Sequence, residues 1–108
     1  MVYTVFLSDD ANRDLSELYN YVASHDSLGK ANMVLDRIEA IFNNLTTSPN
    51  HGTFPKELLA LGISDYREVF FKPYRIIYQV NDDKVYVLLI ADGRRDMQTL
   101  LQRRLLQP

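Results

Sequence analysis

The side chains best suited to chemistry in this chain are arginines. Arg67 and Arg75 stand in two successive strand-like segments, Arg94 and Arg95 follow a third, and Arg103 and Arg104 come near the end. A guanidinium keeps its charge at any working pH and presents a rigid fork of donors that matches carboxylate or phosphate. If Arg67, Arg75, Arg94 and Arg95 converge, they form a cationic concavity that binds and polarises a polyanion. The competing arrangement is a set of surface ion pairs with Glu68, Asp92 and Asp96, which lie beside them in the chain and would contribute little. Other catalytic sets are absent from the sequence. His25 and His51 are isolated in turn-like stretches, where a histidine is usually just solvated. No Gly-rich phosphate loop, metal-spaced His/Glu cluster or nucleophile elbow occurs. Without cysteine there is no thiolate nucleophile, thiolate metal site or disulfide. No metal or cofactor is expected. An enzyme built from these residues would act through arginine electrostatics, with a general base that the sequence does not name.

The charge is unevenly placed. The whole chain carries −2, but residues 1–65 hold four basic and nine acidic side chains, whereas residues 66–108 hold eight and five. The second part, at +3, is the one expected to face an anionic partner. That excess is small for a nucleic-acid binder, which usually clusters several Lys and Arg. At 108 residues, 46% apolar and 24% charged, the chain reads as one domain, 1–108, with enough apolar surface to offset the entropy of ordering. Its longest uninterrupted apolar run is the seven residues from Val85 to Ala91, too short to cross a bilayer, so no membrane role is expected. Asp9 and Asp10 interrupt the N-terminus before an apolar leader develops, and a cytoplasmic location is expected.

Val2 to Leu7 is rich in β-branched and aromatic residues and reads as a first strand. Ser8 then caps a helix with Asp9 and Asp10 in its first turn and Ala11, Leu15, Leu18 and Val22 on one face. A turn over residues 24–29 leads to a second helix from about Gly29 to Thr47. Its apolar stripe is Ala31, Leu35, Ile38, Phe42 and Leu45, and Pro49 and Gly52 end it. Two helices so joined form an antiparallel hairpin. After an irregular stretch with one short helical turn near Glu57, three strands follow: Tyr66 to Phe71, Tyr74 to Val80 and Lys84 to Ala91. Tyr86 to Ile90 is apolar on both faces, which places that strand centrally in a sheet. Met97 to Leu106 resumes a helical pattern. The order describes an α+β fold: an N-terminal strand, an antiparallel helical hairpin packed on a mainly antiparallel curved sheet, and a short C-terminal helix.

These elements aim the candidate residues. Alternation puts Ile76, Tyr78 and Val80 on one face and Arg75, Ile77 and Gln79 on the other. With the first set under the helices, Arg75 projects from an open face. In the preceding strand both sets, Arg67/Val69/Phe71 and Tyr66/Glu68/Phe70, mix aromatics with charge, so alternation does not choose between them. Whichever of Phe70, Phe71 and Ile77 face outward would anchor a protein partner in a groove. Met97, Leu100, Leu101 and Leu105 form an apolar stripe with Arg103 and Arg104 at its end. That segment is either a closing helix of the core or a mobile cationic helix that touches a target.

Ser8-Asp9-Asp10-Ala11-Asn12-Arg13-Asp14-Leu15, continued by Tyr19-x-Tyr21-Val22, resembles the opening of ParE-type toxins. Leu61-Gly62, Tyr66-Arg67-Glu68-Val69 and Pro73-Tyr74-Arg75-Ile76-Ile77-Tyr78 resemble the centre of that family, and Val87 to Asp96 resembles its last strand and exit. The likeness covers nearly the whole chain in order, and on it the chain is identified as a member of the RelE/ParE superfamily. The resemblance implies the toxin of a type II toxin–antitoxin pair, neutralised by a cognate antitoxin in a hetero-oligomer. RelE-like members cleave mRNA on the ribosome, and ParE-like members poison DNA gyrase. In the RelE-like pattern Arg75 matches the strand arginine and Arg95 the one after the last strand. The C-terminal tyrosine of that pattern has no counterpart here, its place falling near Leu101, and the pI of about 5.6 lacks the basic surface of a ribosome-docking protein. The long helical hairpin is also more like ParE. Gyrase poisoning is therefore the expected activity, with Arg67, Arg75, Arg94, Arg95, Arg103 and Arg104 as target contacts. The alternatives are RelE-type mRNA cleavage and an inactive, antitoxin-binding module.

Overall fold

A computed structural model describes residues 2–107. Strand β1 (Thr4–Leu7) leads through Ser8, whose hydroxyl accepts from the Ala11 amide at 3.1 Å, into helix α1 (Asp9–His25). Helix α2 (Leu28–Leu45) follows, capped by Ser27, which accepts from the Lys30 amide at 3.0 Å. The joint between the helices is thus shorter than residues 24–29: Ser24 and His25 remain helical, and only Asp26 and Ser27 turn the chain. The cap on Ser27 starts α2 one residue before Gly29, and α2 ends at Leu45 rather than Thr47. A short helix α3 (Lys56–Leu59) precedes strands β2 (Arg67–Phe71), β3 (Tyr74–Asn81) and β4 (Lys84–Asp92). Helix α4 (Met97–Leu101) runs on into a wider π-helical turn over Gln102–Leu106.

The sheet order is β1-β4-β3-β2, with β1 parallel to β4 and the other pairs antiparallel. The parallel pair is a consequence of connectivity, because the hairpin returns the chain to the sheet three strands away from β1. β3 and β4 are interior, as the two-sided apolar pattern of β4 requires. Val69, Ile76, Tyr78, Val85, Val87 and Ile90 pack with Ala11, Val34, Ile38 and Leu45 of the hairpin in one buried cluster. The register slips between Ile77 and Tyr78, so that Ile77 faces Leu89 while Tyr78 faces Val87. Leu88 is the extra residue of a bulge, and an extra residue reverses the inward parity of the strand beyond it. Hence Val85 and Val87 point to the hairpin before the bulge, and Ile90 does so after it.

The far side of the sheet is not open. Ile77, Leu89 and Ala91 are covered by Leu58 of α3 and by Met97, Leu100 and Leu101 of α4 in a second buried cluster. The C-terminal stripe is therefore part of the core. Its final turn is stitched to the bulge: Asp14 of α1 accepts from the Ile90 amide (3.0 Å) and from Arg104 (3.1 and 2.8 Å), and Arg104 also donates to the Leu88 carbonyl at 3.2 Å. Tyr78 ties in the 48–55 loop, donating to the Pro49 carbonyl (2.7 Å) and accepting from the Gly52 amide (2.9 Å). Only glycine fits at Gly52, where a Cβ would stand 2.5 Å from the Glu68 carbonyl oxygen.

Three substitutions and one control gauge these contacts by urea unfolding. Leu101→Ala is expected to cost about 2–5 kcal/mol, as for a fully buried leucine. Tyr78→Phe, which orphans one donor and one acceptor, should cost about 1–3 kcal/mol. Arg104→Ala removes charged hydrogen bonds and should cost roughly 1.5–3 kcal/mol, whereas Arg103→Ala, at an exposed position, should leave the midpoint unchanged.

Candidate functional site

The strand arginine sits in a built site. Arg75 lies on the α3 side of β3, opposite Phe70 of β2 and Ala91 of β4. Its stem passes over Gly93, where a Cβ would come within 2.8 Å of the Arg75 side chain, so the exit of β4 is shaped around it. Its Nε donates to Glu68 at 2.7 Å, and its two terminal nitrogens donate to the two oxygens of Glu57 at 2.8 and 2.7 Å. Only 8% of the Arg75 side chain is exposed, against 4% of Glu68 and 14% of Glu57. The group is a nearly dry triad of one cation and two anions. Hydrogen bonds from Arg75 hold the Glu57 carboxyl below the usual 4.5 despite its burial. The same bonds, Glu57 first, raise the guanidinium further.

A groove runs above the triad, lined by Phe54, Lys56, Phe70, Lys72 and Arg94. Phe70 is 54% exposed and Phe54 37%. Among the three candidate anchors, Phe70 alone faces outward: Phe71 is half-buried against the hairpin-side core, and Ile77 is sealed in the second cluster under α3 and α4. Ile77 thus offers no docking surface.

The four arginines do not converge in one cationic concavity. Arg67 shares the face of Val69 and Phe71, donates to the Gly52 carbonyl at 2.9 Å, and lies 4.6 Å from the Phe54 ring centroid. Arg75 is on the opposite face and is outnumbered by acids. Arg94, largely exposed, chelates Asp92 through Nε at 2.9 Å and holds its carboxyl below the usual carboxylate range. Arg95 is exposed and lines a second groove with Asp14, Tyr21 and Tyr74. Arg94 pairs with Asp92 close by in the chain, as adjacency suggests, but Glu68 pairs across the strands with Arg75 and not with its neighbour Arg67, and that pair is buried and not on the surface. Asp96 instead caps α4 by accepting from the Thr99 amide at 3.2 Å. Glu57 was not legible as a partner, since nothing in a short irregular stretch states which strand it will lie over. His25 stacks on Tyr21 at 4.0 Å in the last turn of α1, and His51 is exposed in its loop. Among the described residues no cluster of His and acidic groups could hold a metal, and no helix is long and apolar enough to cross a membrane.

The sequence model of the family described as ParE toxin of type II toxin-antitoxin system, parDE, matches residues 5–97. The chain belongs to the ParE toxin family. It is 28% identical over 91 residues to Toxin ParE3 of Caulobacter vibrioides, a match spanning 84% of this chain and 87% of that one. Its fold is similar to that in the chromosomal ParDE TA system from P. aeruginosa, with a TM-score of 0.69, 16% identity, and 84% and 96% of the two chains covered. It is also similar to a chain of the toxin-antitoxin complex RelBE2 from Mycobacterium tuberculosis, with a TM-score of 0.58, 21% identity, and 85% and 99% covered. At these identities the two solved structures speak to the fold this ParE-family chain shares with them.

The triad makes two measurable demands on this ParE-family chain. Arg75→Met strands two nearly buried carboxylates and should cost about 3–5 kcal/mol in denaturant unfolding at neutral pH. Because the folded pKa of Glu57 is depressed, its contribution is full above the unfolded value and is lost as pH falls through the folded one. Stability should therefore drop more steeply between about pH 5 and pH 3 in the wild type than in Glu57→Gln. Parallel slopes would remove Glu57 from the account.

Proposed function

We propose that this chain is a toxin that acts on DNA gyrase and is neutralised by a cognate antitoxin. The observation carrying the choice is the occupied state of Arg75. A ribonuclease of the RelE kind needs its strand arginine free for the phosphate, and here that guanidinium already serves two carboxylates whose summed charge exceeds its own. A net negative triad repels a phosphodiester. Gyrase is a protein target and makes no such demand. The arginines free to contact it are those that the fold does not use: Arg95 and Arg103 are exposed, and Arg94 presents its outer edge. Arg67, Arg75 and Arg104 are held by internal acceptors and support the fold. The likeness to chains from toxin–antitoxin complexes supports an antitoxin partner, for which Phe70 is the exposed anchor.

Expression without antitoxin should halt growth with filamentation and a DNA-damage response, and the purified chain should inhibit gyrase supercoiling. Prompt loss of translation with A-site mRNA cuts, and with supercoiling intact, would put RelE-type cleavage in its place. A folded chain with no effect on growth would point to an inactive binding module. Within the gyrase reading, Arg95→Ala combined with Arg103→Ala should weaken inhibition at least tenfold while the melting temperature stays at the wild-type value.

A further inference from the structure

The sheet ends on one side at β1, which pairs with β4 alone. The Thr4 and Ser8 amides donate to the Asp83 and Val87 carbonyls at 3.1 and 3.0 Å. Backbone groups of alternate residues in a strand point the same way. Thr4, Phe6 and Ser8 therefore face β4, and the odd-numbered residues of β1 turn their amides and carbonyls outward. Tyr3 is already engaged on that side, its amide donating to the Thr46 carbonyl at the end of α2 at 2.7 Å. Val5 and Leu7 are the open positions of the edge. Among the described residues the one bridge outside the four strands, Thr53 with Glu68, lies on β2.

Nothing in the sequence of this edge guards it. A charge, a proline or a bulge on an edge strand keeps it from pairing with another chain, and β2 carries Arg67, with Lys72 just beyond its end. From Val2 to Ser8 there is no charged residue, proline or glycine, and β1 has only its four-residue length to protect it. Val5 and Leu7 pack toward the hairpin, which puts Phe6 on the far face of the sheet. There Phe6 is 42% exposed and stacks on Tyr86 of β4 with ring centroids 5.7 Å apart. Neither ring belongs to the cluster that α3 and α4 close over Ile77 and Leu89. The aromatic pair is an uncovered part of that face.

We propose that the β1 edge is a self-association site, where a second copy of this chain pairs its own β1 antiparallel about a two-fold axis at Phe6. A two-fold normal to the sheet keeps each face on its own side, so opposed residues are both odd or both even. Centring on Val5 would need the Tyr3 amide, which Thr46 holds, and centring on Leu7 would run the pairing into α1. Centring on Phe6 sets Val5 of each copy against Leu7 of the other, and each such pair exchanges both backbone bonds. The two Phe6 side chains then meet across the axis in a non-hydrogen-bonded pair, where side chains come closest. The Phe6 and Tyr86 stack of one copy continues into that of the other as a row of cross-strand aromatic pairs. Charge fits a second copy too. A charged residue on β1 would face its own counterpart, which is destabilising, and β1 has none. The nearest acids, the two Asp9 side chains, stand roughly 20 Å apart along the paired strands, beyond a Debye length at physiological salt. So short an edge falls below the ~1,600 Å² of a standard interface, and the dimer is accordingly weak. The two β2 edges lie at the outer ends of the joined sheet and stay free.

The inference is independent of the gyrase reading, since it is measured on the isolated full chain. Sedimentation equilibrium from about 10 μM to about 1 mM, the range of weak association, should show a monomer–dimer equilibrium. Phe6→Lys and Phe6→Glu each set like charges across the axis and should weaken dimerisation at least tenfold. An equimolar mixture of the two should associate at least tenfold more tightly than either alone, because position 6 meets its own counterpart only at the axis. In the wild type, hydrogen exchange of the Val5 and Leu7 amides should slow as concentration rises, while that of Phe6, already bonded to β4, stays constant. If a charged variant is unfolded at the assay temperature, the wild-type amides decide by themselves. The proposal is overturned by a chain that is still monomeric at about 1 mM, or by folded Phe6 variants that dimerise as the wild type does. A mixture no tighter than its components, or Val5 and Leu7 amides indifferent to concentration, overturns it equally. Protection of those two amides only when an antitoxin is added would give the edge to that partner and end the case for the dimer.

Discussion

A central strand that is apolar on both faces sets the terms for everything else in this fold. β4, with Ile77 of β3 beside it, must be covered on both sides, and the chain has long elements for only one of the coverings. The 17 and 18 residues of α1 and α2 form a hairpin that closes one side with its own apolar stripe. The other side is closed by α3 and α4, of four and five residues, neither of which would persist alone in water. They hold because Leu58, Leu100 and Leu101 are buried and because each covering segment is tied down by an arginine fork. Arg75 of β3 holds Glu57 of α3, and Arg104 of the final turn holds Asp14 of α1.

This use of arginine changes the meaning of the charge distribution. The acidic first part and basic second part of the chain are not two separate fields, since Glu57 and Asp14 from the first pair with Arg75 and Arg104 from the second. Much of the asymmetry is thus folded away into partly buried pairs. What remains outward is a smaller set of cations, Arg95 and Arg103 among them, and the lysines that flank the β2 edge. The bulge at Leu88 depends on the same device. A bulge leaves ladder groups unmatched, and here the Ile90 amide and Leu88 carbonyl are matched by Asp14 and Arg104. The C-terminal turn, the first helix and the central strand therefore meet in one hydrogen-bonded node.

For a member of the ParE toxin family, this gives the arginines a division of labour. Arg75 and Arg104 tie down the segments that close the second face of the sheet, Arg67 holds the 48–55 loop through the Gly52 carbonyl, and Arg95 and Arg103 stay exposed. A guanidinium saturated by carboxylates is a poor instrument for phosphate chemistry, because its donors are already taken and its charge is more than neutralised.

Element types, their order and the inward face of β3 were all legible in the chain, because periodicity and capping are local properties. Ser8 capped its helix as its position demanded, and the alternation of Ile76 and Tyr78 with Arg75 and Ile77 was correct. The ParE likeness in the motifs from Tyr66 to Asp96 was correct as well. Three things were decided only by the tertiary structure. The far face of the sheet was closed, burying Ile77, because α3 and α4 return over it, and no local pattern states where a connection will land. Arg67 and Arg75 were separated onto opposite faces by the register of β2 on β3, which mixed aromatic and charged alternation left open. Arg75 acquired Glu57, and Arg104 acquired Asp14, across 18 and 90 residues of chain, because a charge finds its partner through the packing of whole elements and not through its neighbours in sequence.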